Sequence, residues 1–196
     1  MKKLLALAAI AAFATTAFAQ IDPDPDGMGV YFDMEGAANC KEIVFNGAPI
    51  MVDAYLLLTN PSGAQVLAWE ARVISDVAAL SAGTWALNGG LNVGSDPDFI
   101  VGMGATPHMV TGPTVMLASR QIMFFMVTGE YATFTVQGVP GSASFDGTPG
   151  YQAVLGVMTP AQSPTGSYDA PQSFVNGSCD VVANEDMAWG SVKSLY

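Results

Sequence analysis

Four aspartates near the N-terminus carry the most ligand-like spacing in the chain. Asp22-Pro23-Asp24-Pro25-Asp26-Gly27, with Asp33, puts acids at positions 1, 3, 5 and 12 of a calcium loop and glycine at position 6. Oxygen ligands at alternate positions can wrap a hard cation, and the glycine permits the sharp turn. Three features oppose that reading. Pro23 and Pro25 hold the chain extended. Val30-Tyr31-Phe32 continues as a strand where such a loop continues as a helix. Asp33 stands where a bidentate glutamate belongs. A solvated acidic leader over residues 20–29 is the simpler reading, with calcium as its rival.

The remaining titratable groups are sparse. Asp53 and Glu70 fall on two segments that read as paired strands, so two carboxyl groups could approach as a glycosidase pair does. Glu70 alternates with Arg72, however, and a cross-strand polar face explains both. His108 is the only histidine. A lone histidine cannot make a two-histidine metal site, and no G-x-S-x-G elbow accompanies it. Asp96, Asp98 and Asp146 read as turn formers. Trp69, in mid-strand, reads as a core residue between sheets, whereas Trp85 follows Gly83-Thr84 and is the candidate half-exposed ring for a ligand. The methionines read as core filler. Cys40 and Cys179 are the only two cysteines. In an oxidising compartment such a pair reads as a disulfide joining the start of the fold to its end. So long a closed loop contributes about 4–5 kcal/mol in the chain-entropy account.

The elements that must position these residues follow from composition. The chain has 196 residues, 51% hydrophobic and 12% charged, with 21 glycines and 12 prolines. That is one domain with a real core and many turns; it excludes bulk disorder and a long coiled coil. Six basic residues against 17 acidic ones exclude a nucleic-acid partner held through phosphates.

Residues 1–19 read as a signal peptide. Lys2 and Lys3 precede an apolar run from Leu4 to Ala14, and Ala17-Phe18-Ala19 is an A-x-A cleavage site. Cleavage before Gln20 leaves 4 basic and 17 acidic residues, moving the formal charge from −11 to −13. Such a surface is repelled by anionic membranes. No later segment reads as a membrane span, since Arg120 interrupts the most apolar stretch. The short, lysine-led, alanine-rich signal is of bacterial type. The expected location is secreted, extracellular or at the cell surface, with the periplasm as the other compartment.

Period-two alternation identifies strands. In residues 49–59, Val52, Ala54, Leu56 and Leu58 share one face. In residues 66–74, Leu67, Trp69, Ala71 and Val73 share one face, and Glu70 and Arg72 the other. The four-residue turn Asn60-Pro61-Ser62-Gly63 between them predicts a hairpin. Further strands are expected at 30–33, 43–45, 84–87, 99–103, 115–127, 130–136 (after a tight turn at Gly129), 152–158 and near 175–183. About nine strands in residues 30–183 make an antiparallel β-sandwich. Residues 184–196 form a tail in which Asn184 could cap a short helix.

The run Val52-Asp53-Ala54-Tyr55-Leu56-Leu57-Leu58-Thr59-Asn60-Pro61, with Val66-Leu67-Ala68-Trp69-Glu70 after it, resembles cohesin-like and related immunoglobulin-like sandwiches. The resemblance covers Pro49 to Val136. It implies an early strand pairing with one whose bulky residue packs between the sheets, and it carries over no partner-binding residue. The tail Trp189-Gly190-Ser191-Val192-Lys193-Ser194-Leu195-Tyr196 resembles the C-terminal signature of secreted bacterial β-sandwich proteins, which implies export and surface residence but no chemistry.

The expected function is a non-enzymatic exported module for binding, adhesion or structure, with an extracellular protein or polysaccharide as partner. A carbohydrate-binding module and a self-assembling surface or filament subunit are the alternatives.

Overall fold

The computed structural model describes residues 24–44, 46–125, 129–145 and 147–176, and among these it is all strand and turn. In chain order the strands are β1 Gly27–Tyr31, β2 Cys40–Lys41, β3 Ile50–Thr59, β4 Gln65–Val66, β5 Ala68–Ala78, β6 Ser81–Ala82, β7 Ala86–Leu87, β8 Leu91–Asn92, β9 Asp98–Gly102, β10 His108–Met109, β11 Thr114–Phe124, β12 Tyr131–Gln137, β13 Gly150–Val154, β14 Val157–Pro160 and β15 Ser173–Val175. Of these fifteen, nine run three residues or longer and six are two-residue bridges. The first sheet has the order β1-β3-β11-β6, with β7 also on β11; the second has the order β14-β13-β5-β12-β15-β2, with β9 on β5 and β8 on β9. They face each other as an antiparallel β-sandwich, except that β15 and β2 run parallel.

The core is the set of inward residues that alternation requires. Val52, Ala54, Leu56 and Leu58 of β3 meet Trp69, Ala71 and Val73 of β5, all buried. Trp69 stacks on Phe99 of β9 at 6.0 Å. Strand β11 does not alternate in sequence because a bulge interrupts it. Met116 pairs with Leu57 and Ala118 with Leu56, leaving Leu117 as the extra residue. Val115 and Leu117 face inward before the bulge; Ala118, Ile122 and Phe124 do so after it. A bulge swaps which parity is buried, so the apolar run looks continuous.

Several sequence expectations are corrected here. Strands β3 and β5 are not a hairpin. β3 pairs with β1 and β11, whereas β5 pairs with β9, β12 and β13. Asn60, at φ 46°, donates its backbone N–H to the Pro113 carbonyl at 2.6 Å, and the chain then crosses to the other sheet. β11 and β12 likewise lie in different sheets, so Gly129 sits in a crossing rather than a tight hairpin. Residues 152–158 are not one strand but the β13–β14 hairpin, turned at Leu155-Gly156. The strand expected at 43–45 is replaced by β2, with Phe45 outside the described residues. The leader is also shorter than expected. β1 begins at Gly27 and is wholly buried. The expected helix at 184–196 lies outside the described residues.

The start of β1 is clamped by one carboxylate. Asp26 Oδ1 accepts from Tyr151 Oη at 2.6 Å and from Ser62 N at 2.7 Å, and Oδ2 accepts from Ser62 Oγ at 2.8 Å. The same Tyr151 oxygen accepts from Gly63 N at 3.0 Å. At the other end of β1, Ser173 Oγ donates to the Val30 carbonyl and ties β15 to it. Tyr151→Phe should therefore cost about 1–3 kcal/mol in urea unfolding, since it leaves the Gly63 N–H unmatched and takes from Asp26 Oδ1 one of its two donors. Burial first, and then the bond to Asp26, push the Tyr151 phenol above its ordinary value of 10.0. A proton held more tightly when folded stabilises below about pH 10, and that contribution is lost as pH rises past it. The wild-type advantage over Tyr151→Phe should shrink above about pH 10; an advantage unchanged at high pH contradicts the assignment.

Candidate functional site

The residues proposed from sequence do not converge. Asp26 is the clamp just described. Asp33 accepts from Ala37 N at 2.9 Å. The extended β1 lies between them and holds the two acids at its opposite ends, about 17 Å or more apart at strand rise. A calcium loop needs both on one ion, so these residues do not fit one. Asp22 lies outside the described residues, and Asp24 sits before the clamp. Among the described residues no three His, Cys, Asp or Glu side chains cluster as a metal group would. Trp85 is not half exposed. It is 9% exposed, edge-on to Phe134 at 6.0 Å with the Arg120 guanidinium 6.0 Å above its ring, because β7 lays it across the inner edge of the sandwich. Cys40 lies in β2; Cys179 lies outside the described residues. His108 is in β10, paired with Val66.

The expected carboxyl pair is divided between the two outer faces. Asp53 is exposed on the first sheet, accepting from Gln121 Nε2 at 2.8 Å. Glu70 points outward from the second sheet, since Trp69 and Ala71 on either side point in. Yet Glu70 is only 3% exposed, and its Oε1 has no hydrogen-bond partner.

The burial has a local cause. In register, Glu70 lies between Ile100 of β9 and Gly150 of β13. The Phe145 ring rests on the bare Cα of Gly150, where a Cβ would fall 2.3 Å from it. Glu70 is thus walled by an isoleucine on one side and a phenylalanine on the other. Its same-face neighbour Arg72 is turned to Asp98, 3.5 Å away.

Around Glu70 opens a cleft of about 460 Å³ on the outer face of the second sheet. Ala68, Ile100, Gly102 and Gln152 line it with Glu70; Leu91, Val93, Phe145 and Met158 add apolar walls. The 91–94 ribbon is braced by Asn92, whose Oδ1 accepts from Gly94 N and Ile100 N, both at 2.9 Å. Gly90, at φ 80°, lets the ribbon lie against Val101 and Met103, where a Cβ would come within 2.9 Å of both. Leu91 and Val93 are 70% and 73% exposed. Apolar walls around one polar group are the usual make-up of a binding cleft. Sequence reasoning found Glu70 but placed it on an exposed polar face. No local signal shows that Phe145, 75 positions later, covers it.

The fold and cleft define an all-β sandwich with an apolar recess on one sheet. No protein-family model matches the chain, and no curated protein is similar to it. Among solved structures it is similar to the sixth cohesin from scaffoldin B of Acetivibrio cellulolyticus, solved in complex with a mutant Cel5 dockerin. The identity is 16% and the TM-score 0.42, over 78% of this chain and 99% of that one. The chain thus resembles a cohesin weakly. Among the described residues no helix is long and apolar enough to cross a membrane.

A buried acceptor without a donor is destabilising. Glu70→Met, which keeps the shape and removes the polar atoms, should raise unfolding stability by about 1–3 kcal/mol. Chemical denaturation measures it, and a loss of stability would mean that the carboxyl is satisfied in solution.

Proposed function

We propose that this chain is an exported, non-catalytic β-sandwich module that binds a protein partner through the outer face of its second sheet. One observation carries the reading: the recess around Glu70, rimmed by Leu91, Val93 and Met158, on a face that water would otherwise claim. Its exposed large side chains, Leu91, Val93 and Met158, are apolar, with Ser144 the exposed polar residue of the rim. Trp69 and Trp85 are buried, so neither offers a ring to a sugar, and a protein fits better than a polysaccharide. Asp53 and Glu70 lie on the outer faces of different sheets, which favours binding over catalysis.

The docking face is tested with the mature protein. A partner taken from the source organism's culture fluid should bind wild type and the opposite-face control Met51→Asp alike. It should be lost from Leu91→Asp/Met158→Asp, and its footprint in NMR should fall on Leu91, Val93 and Met158. Equal binding by the double variant overturns the reading. Self-association is a second reading with its own observation. β14 is an edge strand, and Val154, Leu155 and Val157 at its hairpin are exposed, Leu155 by 84%. Concentration-dependent mass in sedimentation, abolished by Leu155→Asp, would favour it.

Export and the Cys40–Cys179 bond belong to the same proposal. Phe174 pairs with Cys40 and Val175 with Lys41, and Asn176 N donates to Lys41 O at 2.9 Å. Cys179 is three residues further on, within about 10 Å of reach. Protein recovered from a bacterial periplasm should begin at Gln20 and resist alkylation until reduced. Cys179→Ser should then cost up to about 4–5 kcal/mol. Two thiols that alkylate without reductant would refute the bond.

A further inference from the structure

We infer that the recess takes the side chain of a lysine or arginine presented by that partner, with its cationic head on Glu70 and its stem between the apolar walls. The inference rests on the docking face proposed above and names what must enter it. Glu70 is the only acidic group in the lining. It is nine-tenths buried or more, it is directed into the cleft by the alternation of β5, and its Oε1 lacks a partner. A buried acceptor of this kind gains most from a donor that arrives already charged.

The described chain holds no cation for it. Arg72 is engaged with Asp98. Arg120 lies between the sheets and donates to Ser75 at 2.8 Å. Lys41 is on β2, at the opposite edge of the sheet from β13 and β14. The walls suit the stem, because Leu91, Val93 and Met158 are aliphatic or thioether and a lysine or arginine buries its methylenes along such surfaces. The volume of about 460 Å³ exceeds one methylene stem and leaves room for an apolar neighbour on the partner. The chain's net charge of −11 steers a basic segment towards it.

The test is an NMR titration of the mature protein with acetyl-Leu-Lys-Leu-amide, and with the same tripeptide carrying norleucine for lysine. The lysine peptide should shift Leu91, Val93 and Met158 and bind about ten- to a hundredfold more tightly than the norleucine one. Glu70→Gln and the more stable Glu70→Met should each reduce it to the norleucine level. Equal affinity of the two peptides, no shift at the solubility limit, or indifference to both Glu70 variants overturns the inference. If Lys193→Gln alone moves the Leu91 and Met158 signals of the free protein, the occupant is the chain's own tail, and the partner lysine is refuted. A partner lost from Leu91→Asp/Met158→Asp but held by Glu70→Gln would leave the docking face standing and this inference refuted.

Discussion

A side chain on a sandwich strand can point in only two directions, and β5 uses both to the full. Trp69 goes inward to stack on Phe99 and seal the space between the sheets. Glu70, the next residue, must therefore go outward. Outward from most antiparallel sheets is water. Here it is the gap between Ile100 and Phe145. The packing of the core and the desolvation of the carboxyl are thus one constraint: Trp69 cannot face the core without committing Glu70 to the outer face. The neighbouring strands complete the arrangement. β9 supplies Phe99 inside and Ile100 outside, and β13 supplies Tyr151 inside and Gly150 outside.

That constraint explains what could be read from residues alone and what could not. Alternation reports faces, so Val52, Ala54, Leu56, Leu58, Trp69, Ala71 and Val73 were all legible as core. It does not report partners. Strands from opposite sheets carry the same pattern along the chain, and a four-residue turn suits a hairpin as well as a crossing. The misplacement of β3 against β5 follows from this, and so does the false meeting of Asp53 with Glu70. Trp85 was misjudged for a related reason. It precedes a strand only two residues long, and its burial comes from Phe134, 49 positions away. The bulge at Leu117 hid the period of β11 by burying consecutive residues. The aspartate spacing at 22, 24, 26 and 33 describes a loop, whereas a buried strand, β1, runs between Asp26 and Asp33.

The ends of the described fold are held by polar contacts where apolar burial runs out. Asp26 places its carboxylate oxygens on Ser62 and Tyr151, joining β1 to the β3–β4 turn and to β13 across the sandwich. Gln172 plays a similar part at the far side. Its side-chain amide accepts from Val136 N at 3.3 Å and donates to Val136 O at 3.0 Å, standing in for a strand peptide before β15 begins. The contrast with Glu70 is informative. The Asp26 carboxylate and the Gln172 amide are matched on both of their polar atoms, whereas Glu70 Oε1 is buried and unmatched beneath a concave surface.

The outer face of the second sheet divides along β5. Past Arg72, β5 pairs with β12 and the face is mostly polar: Ile74 is flanked by Thr133, Thr135 and a Tyr131 hydroxyl that donates to Asp76 at 3.0 Å. Before Arg72, β5 pairs with β9 and β13, and the face is aliphatic around one carboxyl. Core packing cannot be the reason for this half, because the core is on the other side of the strand. Nor does the half stabilise the fold fully, since it exposes Leu91 and Val93 and strands Glu70. A surface that is costly in both its apolar and its polar parts is the reason for proposing a complement outside the described chain. Apolar walls give such a complement affinity, and the carboxyl at their base restricts which complement can be accepted, because an uncharged side chain of equal length would leave the acceptor buried and unmatched.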